Sequence, residues 1–161
     1  MIKEYPRQLG NLDGIDAWAR NKANQHNLNE DLAAVEEELE ELGEVDTSIQ
    51  GMFKTMPATD WEPIDLDGEN IAKANRYREL TTRRDDLRGI RDALDQGDDT
   101  QLLLYEPFTV GKTGNELTHA AIAVGNVDTA DYVATYVPGV STTAADMPGL
   151  IDDTANLRRV A

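Results

Sequence analysis

The sequence has no cysteine, two serines, two histidines, two phenylalanines and no long apolar run. The lack of cysteine excludes structural disulfides, thiol nucleophiles and cysteine-based zinc sites. No stretch of about 18 consecutive apolar residues is present, so no segment reads as a membrane-crossing helix. The N-terminal MIKEYPRQLG has no apolar core of the kind that marks a secretory signal, and the cytoplasm is the default expectation. Basic residues are scarce as well. Fifteen Lys and Arg stand against 31 Asp and Glu, a formal net charge of −16. A chain this negative repels phosphate backbones and anionic headgroups, so neither nucleic acid nor a membrane is expected as a partner. The densest basic cluster, Arg76, Arg78, Arg83, Arg84, Arg88 and Arg91, is interleaved with Glu79, Asp85, Asp86 and Asp92 and reads as a solvated helix face.

Catalytic and metal-binding residue types are correspondingly thin. His26 and His119 stand alone, with no spaced partner such as the H-E-x-x-H pair, and no metal or cofactor is expected. A serine nucleophile needs a strained G-x-S-x-G elbow that lifts its hydroxyl clear of a sheet. The serines are Ser48 and Ser141, and Ser141 sits in G-V-S-T-T, without the second glycine. The GKT at 111–113 lacks the glycine a phosphate loop needs five residues earlier, where Glu106 stands, and reads as a hairpin turn. DLDGEN at 65–70 puts Pro63 and Ala74 at the first and last ligand positions of a calcium loop, so it reads as a helix start. The acidic run Glu36, Glu37, Glu38, Glu40 and Glu41 surrounds Leu39 and reads as an outer helix face.

What is present divides into two parts. At 161 residues, 40% hydrophobic and 29% charged, the chain has the size and composition of about one globular domain. Residues 1–99 are charged and helix-patterned. A first helix is expected from about Gly14 to Leu42, capped by Asp13 and stopped by Gly43. Ile15 and Trp18 open its apolar stripe, which continues through Leu28, Leu32, Val35, Leu39 and Leu42 at steps of four and three, the mark of a helix packing lengthwise on another. A second is expected from Gly68 to Gln96 between the cap Asp67 and Gly97, with the stripe Ile71, Ala74, Tyr77, Leu80, Leu87, Ile90 and Leu94. The matched periods predict an antiparallel helical hairpin. The connector 44–66 carries Met52, Phe53, Met56 and Trp61, with a short helical turn expected near 47–53 and an extended chain around Pro57 and Pro63.

Residues 100–161 are richer in β-branched and small residues. Three strands are expected: Gln101–Tyr105, Thr118–Val124 and Tyr132–Val137. The first two are joined by the loop PFTVGKTGNE, and the third is apolar enough to be a buried central strand. A helix is expected from near Ala144, capped by Thr142 or Thr143 and interrupted at Pro148-Gly149. In VATYVPGVSTT a strand ends at Pro138-Gly139 and turns toward that helix. On local sequence alone this is an ordinary strand-to-helix turn.

The stretch AIAVGNVDTADYVATYVPGVSTT at 121–143 closely resembles a signature of actinobacterial α/β-hydrolase-like proteins that carry a domain of unknown function. Gly125, Asp128, Thr129, Ala130, Asp131, Val133, Val137, Pro138 and Gly139 fall on it. LGNLDGIDAWARNKAN at 9–24 resembles an upstream segment of the same family, through Leu9, Gly10, Leu12, Asp13, Gly14, Arg20, Ala23 and Asn24. QLLLYEP at 101–107 resembles its first strand. Asn126 stands where the family has an acid, and Tyr132 where it has a polar residue or histidine. The resemblance implies an α/β fold: a long helical hairpin followed by the first strands of an incomplete α/β-hydrolase sheet. It also implies that the loop after the third strand offers an oxyanion-hole amide, which places Gly139 and Val140 as candidate backbone donors. Family members continue to a G-H-S-Y-G elbow and then to acid and histidine positions, none of which this sequence contains.

Two functions are expected to compete. One is the N-terminal portion of a serine α/β hydrolase, inactive alone because it lacks the nucleophile elbow, with the remaining hydrolase portion or a second copy at its sheet edge as partner. The other is a non-enzymatic helical module that binds a protein partner through the 13–42 and 68–96 pair.

Overall fold

The computed structural model describes residues 2, 4–45, 68–97, 99–110 and 116–160. Among the described residues it is helix-rich, with a two-stranded antiparallel sheet. In chain order the elements are α1 (Pro6–Leu9), α2 (Ala17–Leu42), α3 (Gly68–Asp95), β1 (Thr100–Val110), β2 (Glu116–Val124), a 3-10 turn (Ala144–Asp146) and α4 (Met147–Val160).

The two long helices form as their sequence periods predict, and they pair. Leu28, Leu32 and Val35 of α2 meet Leu80, Leu87 and Ile90 of α3 in one buried cluster, with Leu39, Leu42 and Leu94 packed at its margin. The pairing is antiparallel. Glu36 accepts from Arg88 and Glu38 from Arg76, while Lys73 reaches the Glu44 carbonyl, so rising numbers on α2 meet falling numbers on α3. The acidic run and the arginine cluster thus face each other as exposed and half-exposed ion pairs. Each contributes about 0–1 kcal/mol, so the apolar seam carries the stability. Tyr77 is only half-buried. The expected cap Asp67 and the connector features at Met52, Phe53, Met56 and Trp61 lie outside the described residues.

The start of α2 differs from expectation. The helix begins at Ala17, and Asp16 at its N-cap makes no side-chain capping bond. Gly14 takes a left-handed turn (φ +79°) between Asp13 and the helix. Trp18 is exposed, its indole donating to Asp16. The buried stripe therefore opens at Ala19 and Ala23 rather than at Trp18.

The hairpin β1–β2 forms, but β1 is longer than its alternation predicts and runs on to Val110, through part of the expected loop. Two register shifts explain this, one between Leu102 and Leu104 and one between Glu106 and Thr109. In a regular strand, residues three apart point to opposite faces. Each bulge inserts one or more unpaired residues and resets the alternation. Leu102, Tyr105 and Phe108 consequently all pack on the helical core, a period of three that no strand pattern shows. Phe108 pays with a positive φ of 56°, and its ring lies under the Arg83 guanidinium, 4.6 Å from the centroid.

The third expected strand, Tyr132–Val137, is not formed. Residues 130–139 are irregular, and none of 132–137 is buried. Tyr132 is 95% exposed, Val133 67% and Val137 79%. The run is apolar enough for a central strand, but among the described residues no neighbouring strand pairs with it. The following helix is as expected in its cap and not in its interruption. Thr143 and Asp146 form a reciprocal capping box, and Pro148 sits in the first turn of α4, where a missing amide costs nothing. The turn docks on α3 at Gly89, where a β-carbon would come within 2.5 Å of the Ala145 backbone.

Candidate functional site

The two segments that resemble the hydrolase-like family, 9–24 and 121–143, meet at the start of α2, where Asp128 accepts from backbone amides. Polar side chains in and before α2 bind the first of these segments to β1. Arg20, Asn21 and Asn24 share the helix face turned toward β1. Asn21 Oδ1 accepts from the Leu102 amide at 2.8 Å, and Asn24 Nδ2 donates to the Leu102 carbonyl at 3.1 Å. Arg20 donates to the Leu103 carbonyl. Asn11, in the loop before α2, donates to the Tyr105 carbonyl at 2.8 Å and accepts from the Tyr105 amide at 3.0 Å. One side chain thereby makes both bonds that a strand partner would make. The loop itself is drawn in through the Gly10 carbonyl, which accepts from Asn24 at 2.9 Å and Arg20 at 3.3 Å. Gly10 must be glycine here, because a β-carbon would fall 1.8 Å from Asn24 Oδ1.

The second segment arrives over the start of α2. Gly125 takes φ +115°, its amide donating to the Asp99 carbonyl at 2.7 Å. Asn126 Oδ1 accepts from the Asp128 amide at 3.0 Å, a local side-chain turn, so asparagine serves where the family has an acid. Gln101, buried, accepts from the Val127 amide at 2.9 Å. These bonds aim Asp128 at the helix. Its carboxylate accepts from the Ala17 amide at 2.7 Å and the Trp18 amide at 3.0 Å. The free amides of the first turn, with the positive end of the helix dipole behind them, are thus satisfied by a carboxylate more than a hundred residues away. Asp128 belongs to the family-like stretch 121–143, but nothing near it in the sequence announces this role. The signal was available only as its shared membership, with residues 9–24, of one family pattern.

A third cluster ties α1 to the core. The Tyr105 hydroxyl donates to Asp31 at 2.8 Å, and Arg7 forks onto both oxygens of the same carboxylate. Burial first, and then the Asp31 charge and hydrogen bond, push the Tyr105 phenol well above its ordinary value. Tyr105 is therefore a neutral, committed donor and no proton acceptor.

The candidate oxyanion donors lie beyond these clusters. Gly139 and Val140 are exposed, and Val140 is fully so. The Gly139 carbonyl accepts from the Thr142 amide at 3.4 Å, and the strained residue is Ser141, at φ +78°. A β-carbon on Gly139 would meet nothing within 4 Å. Neither histidine accompanies Ser141. His26 pairs with Glu30 one helical turn on, and His119 lies across the strands from Glu106. Among the described residues, no group of three or more His, Asp or Glu side chains is placed to hold a metal ion. Among the described residues the geometry is that of a scaffold, with Gly139 and Val140 exposed and no nucleophile–base pair beside them.

Residues 113–160 match the model of a family described as alpha/beta hydrolase. Over 142 residues, 88% of this chain, the sequence is 29% identical to an uncharacterized protein in each of two strains of Mycobacterium tuberculosis. The matched part is 19% of that protein, so the chain spans about a fifth of the length of the curated relatives it matches. No solved structure matches.

Proposed function

We propose that this chain is the N-terminal portion of a serine α/β-hydrolase-like protein and does not hydrolyse esters by itself. The match of residues 113–160 to an alpha/beta hydrolase model carries the reading. In it, the α2–α3 hairpin covers one end of the hydrolase core, and the clamp of Asn11, Arg20, Asn21, Asn24 and Asp128 holds the first strands against the helices. Gly139 and Val140 are the backbone positions from which an oxyanion-hole amide would be offered. An oxyanion donor with no nucleophile to generate an oxyanion gives little rate enhancement. The competing reading, a helical module for a protein partner, gains no support from α2 and α3. Their apolar stripes face each other, and ion pairs link their outer faces.

The test is an ester-hydrolysis assay on the purified 161-residue chain beside the full-length M. tuberculosis relative. Turnover is expected in the relative and background only in the chain. Turnover by the chain that disappears in Ser141→Ala would make Ser141 a nucleophile and overturn the inactive reading. Background in both proteins would remove the hydrolase reading.

A further inference from the structure

Residues 125–143, between the end of β2 and the 3-10 turn, form neither helix nor strand, the longest such stretch among the described residues. Connections of that length inside a compact domain are uncommon and are functional or linker segments. Both ends of this one are fixed. At the first, Asp128 accepts from the Ala17 and Trp18 amides. At the second, Thr143 and Asp146 close their capping box, Ala144 is buried and the Ala145 backbone lies against Gly89. Between the two anchors every residue of 131–137 is exposed. Among the described residues, no backbone amide or carbonyl of 131–138 makes a hydrogen bond.

A protease takes its substrate as an extended chain and bonds to the backbone on both sides of the bond it cuts, so cutting concentrates where the backbone is exposed and unpaired. The side chains decide which protease. From Thr113 to Leu157 the sequence has no Lys or Arg, so an enzyme specific for basic residues finds no bond in the stretch. Tyr132 is 95% exposed and Tyr136 50%, and each is followed by a valine. The other described aromatic residues are poorer sites. Trp18 lies in the first turn of α2, Tyr77 inside α3, and Tyr105 and Phe108 inside β1, while Tyr5 is followed by Pro6. What lies beyond the stretch is held lightly. Among the described residues from Val133 onward, only Ala144 and Ile151 are buried. The polar ties, from the Ala145 amide to Asp86 at 3.3 Å and from Arg158 to Asp99 at 3.4 Å, are long and exposed.

We propose that the Tyr132–Val133 and Tyr136–Val137 bonds are a cleavage site for an endoprotease that accepts a large aromatic side chain, and that the cut releases the segment carrying α4 from the helical hairpin. In the step, one water adds across the peptide bond. Its oxygen joins the tyrosine carbonyl carbon, the C–N bond breaks and both water protons pass to the valine nitrogen, leaving a tyrosine carboxylate and a valine ammonium. Release follows because the docking of α4 depends on its tether. A tether supplies a high effective concentration, and a separate peptide must instead meet the full cost of association with two buried apolar side chains. Its departure uncovers the face of α3 at Gly89. The site is independent of the hydrolase reading, since the chain is here the substrate and needs no activity of its own.

The test is limited digestion of the folded 161-residue chain with chymotrypsin, read by intact mass and by size-exclusion chromatography. Products ending at Tyr132 or Tyr136 are expected while the bonds after Tyr77, Tyr105 and Phe108 are still intact, with the complementary peptide eluting apart from the larger fragment. Replacing both side chains, Tyr132→Ala with Tyr136→Ala, is expected to slow these cuts by on the order of tenfold or more. An unchanged rate in that double variant overturns the site. So does survival of both bonds while those after Tyr77, Tyr105 or Phe108 are cut. Co-elution of the two fragments overturns the release. A second variant reads the openness of the backbone without relying on an aromatic side chain. Trypsin spares this stretch in the parent and is expected to cut Tyr132→Arg at the new basic residue. Resistance of Tyr132→Arg to trypsin there would mean that the backbone of 131–137 is closed, and would overturn the proposal.

Discussion

The helical hairpin and the stretch after β2 are built from the same kinds of residue and end in opposite states. Leu28, Leu80, Leu87 and Ile90 are at most 1% exposed, whereas Val133 and Val137 are 67% and 79% exposed. Hydrophobicity does not separate them; a partner does. Each long helix carries a stripe at the period of the other, and the two bury each other together with Leu102 and Tyr105 of β1. The stretch 131–137 has the β-branched and aromatic composition of a strand, and a strand buries nothing and bonds nothing until a neighbouring strand lies beside it.

The largest expected effect lies in the hairpin. Leu87→Ala or Leu32→Ala leaves a cavity in the seam and should cost about 2–5 kcal/mol, read from urea unfolding. A cost for both under about 0.5 kcal/mol, the size of a surface substitution, would break the contrast from its buried side. The next effect is at the junction of the two regions. Asp128→Ala leaves the amides of Ala17 and Trp18 without their acceptor and should cost about 0.5–2 kcal/mol, with Asp128→Asn losing less. Loss of amide protection confined to the first turn of α2 in Asp128→Ala would sharpen the assignment. Unchanged protection there would remove the cap.

The smallest effect concerns Asp86, where the turn before α4 meets α3. Its carboxylate accepts from the Ala145 amide at 3.3 Å and from the Thr118 hydroxyl, and Asp85 and Asp146 face it. Burial, reinforced by those two acids, raises its pKa above the ordinary aspartate value. A raised carboxyl favours the fold when protonated. Its contribution is therefore fully present below the unfolded-state pKa and is lost as pH rises through the folded-state value. Asp86→Asn keeps an oxygen for Ala145 and removes the charge. It should be as stable as the parent or slightly more stable at neutral pH, with the difference closing as pH falls toward 4. A difference that widens on acidification would contradict the sign.

Sequence reasoning read the hairpin well because the information was local and repeated. The seam from Leu28 to Val35, and that from Leu80 to Ile90, needs only a period, and Gly43 and Gly97 mark the ends. The Thr143–Asp146 box was readable for the same reason. The start of α2 was not, because its cap comes from Asp128 and nothing near Ala17 announces it. The length of β1 was hidden by two bulges, which turn the spacing of Leu102, Tyr105 and Phe108 into one that no strand template contains. The composition of Tyr132–Val137 favours a strand, and composition cannot supply a neighbour. The candidate site was readable as a pair of family-like segments. That Asn11, Asn21 and Asn24 would close one edge of the sheet was not, since each is an unremarkable polar residue until β1 lies against it.

The most direct test of the contrast is residue-resolved amide exchange on the 161-residue chain at neutral pH. The account predicts the slowest exchange at Leu80–Ala93 of α3 and in the facing turns of α2. Intermediate exchange is expected at the β2 amides that pair with β1, and exchange close to that of an unfolded peptide throughout 131–137. Protection of 131–137 comparable to that of α3 would contradict it, because those amides would then have a strand partner within the chain itself.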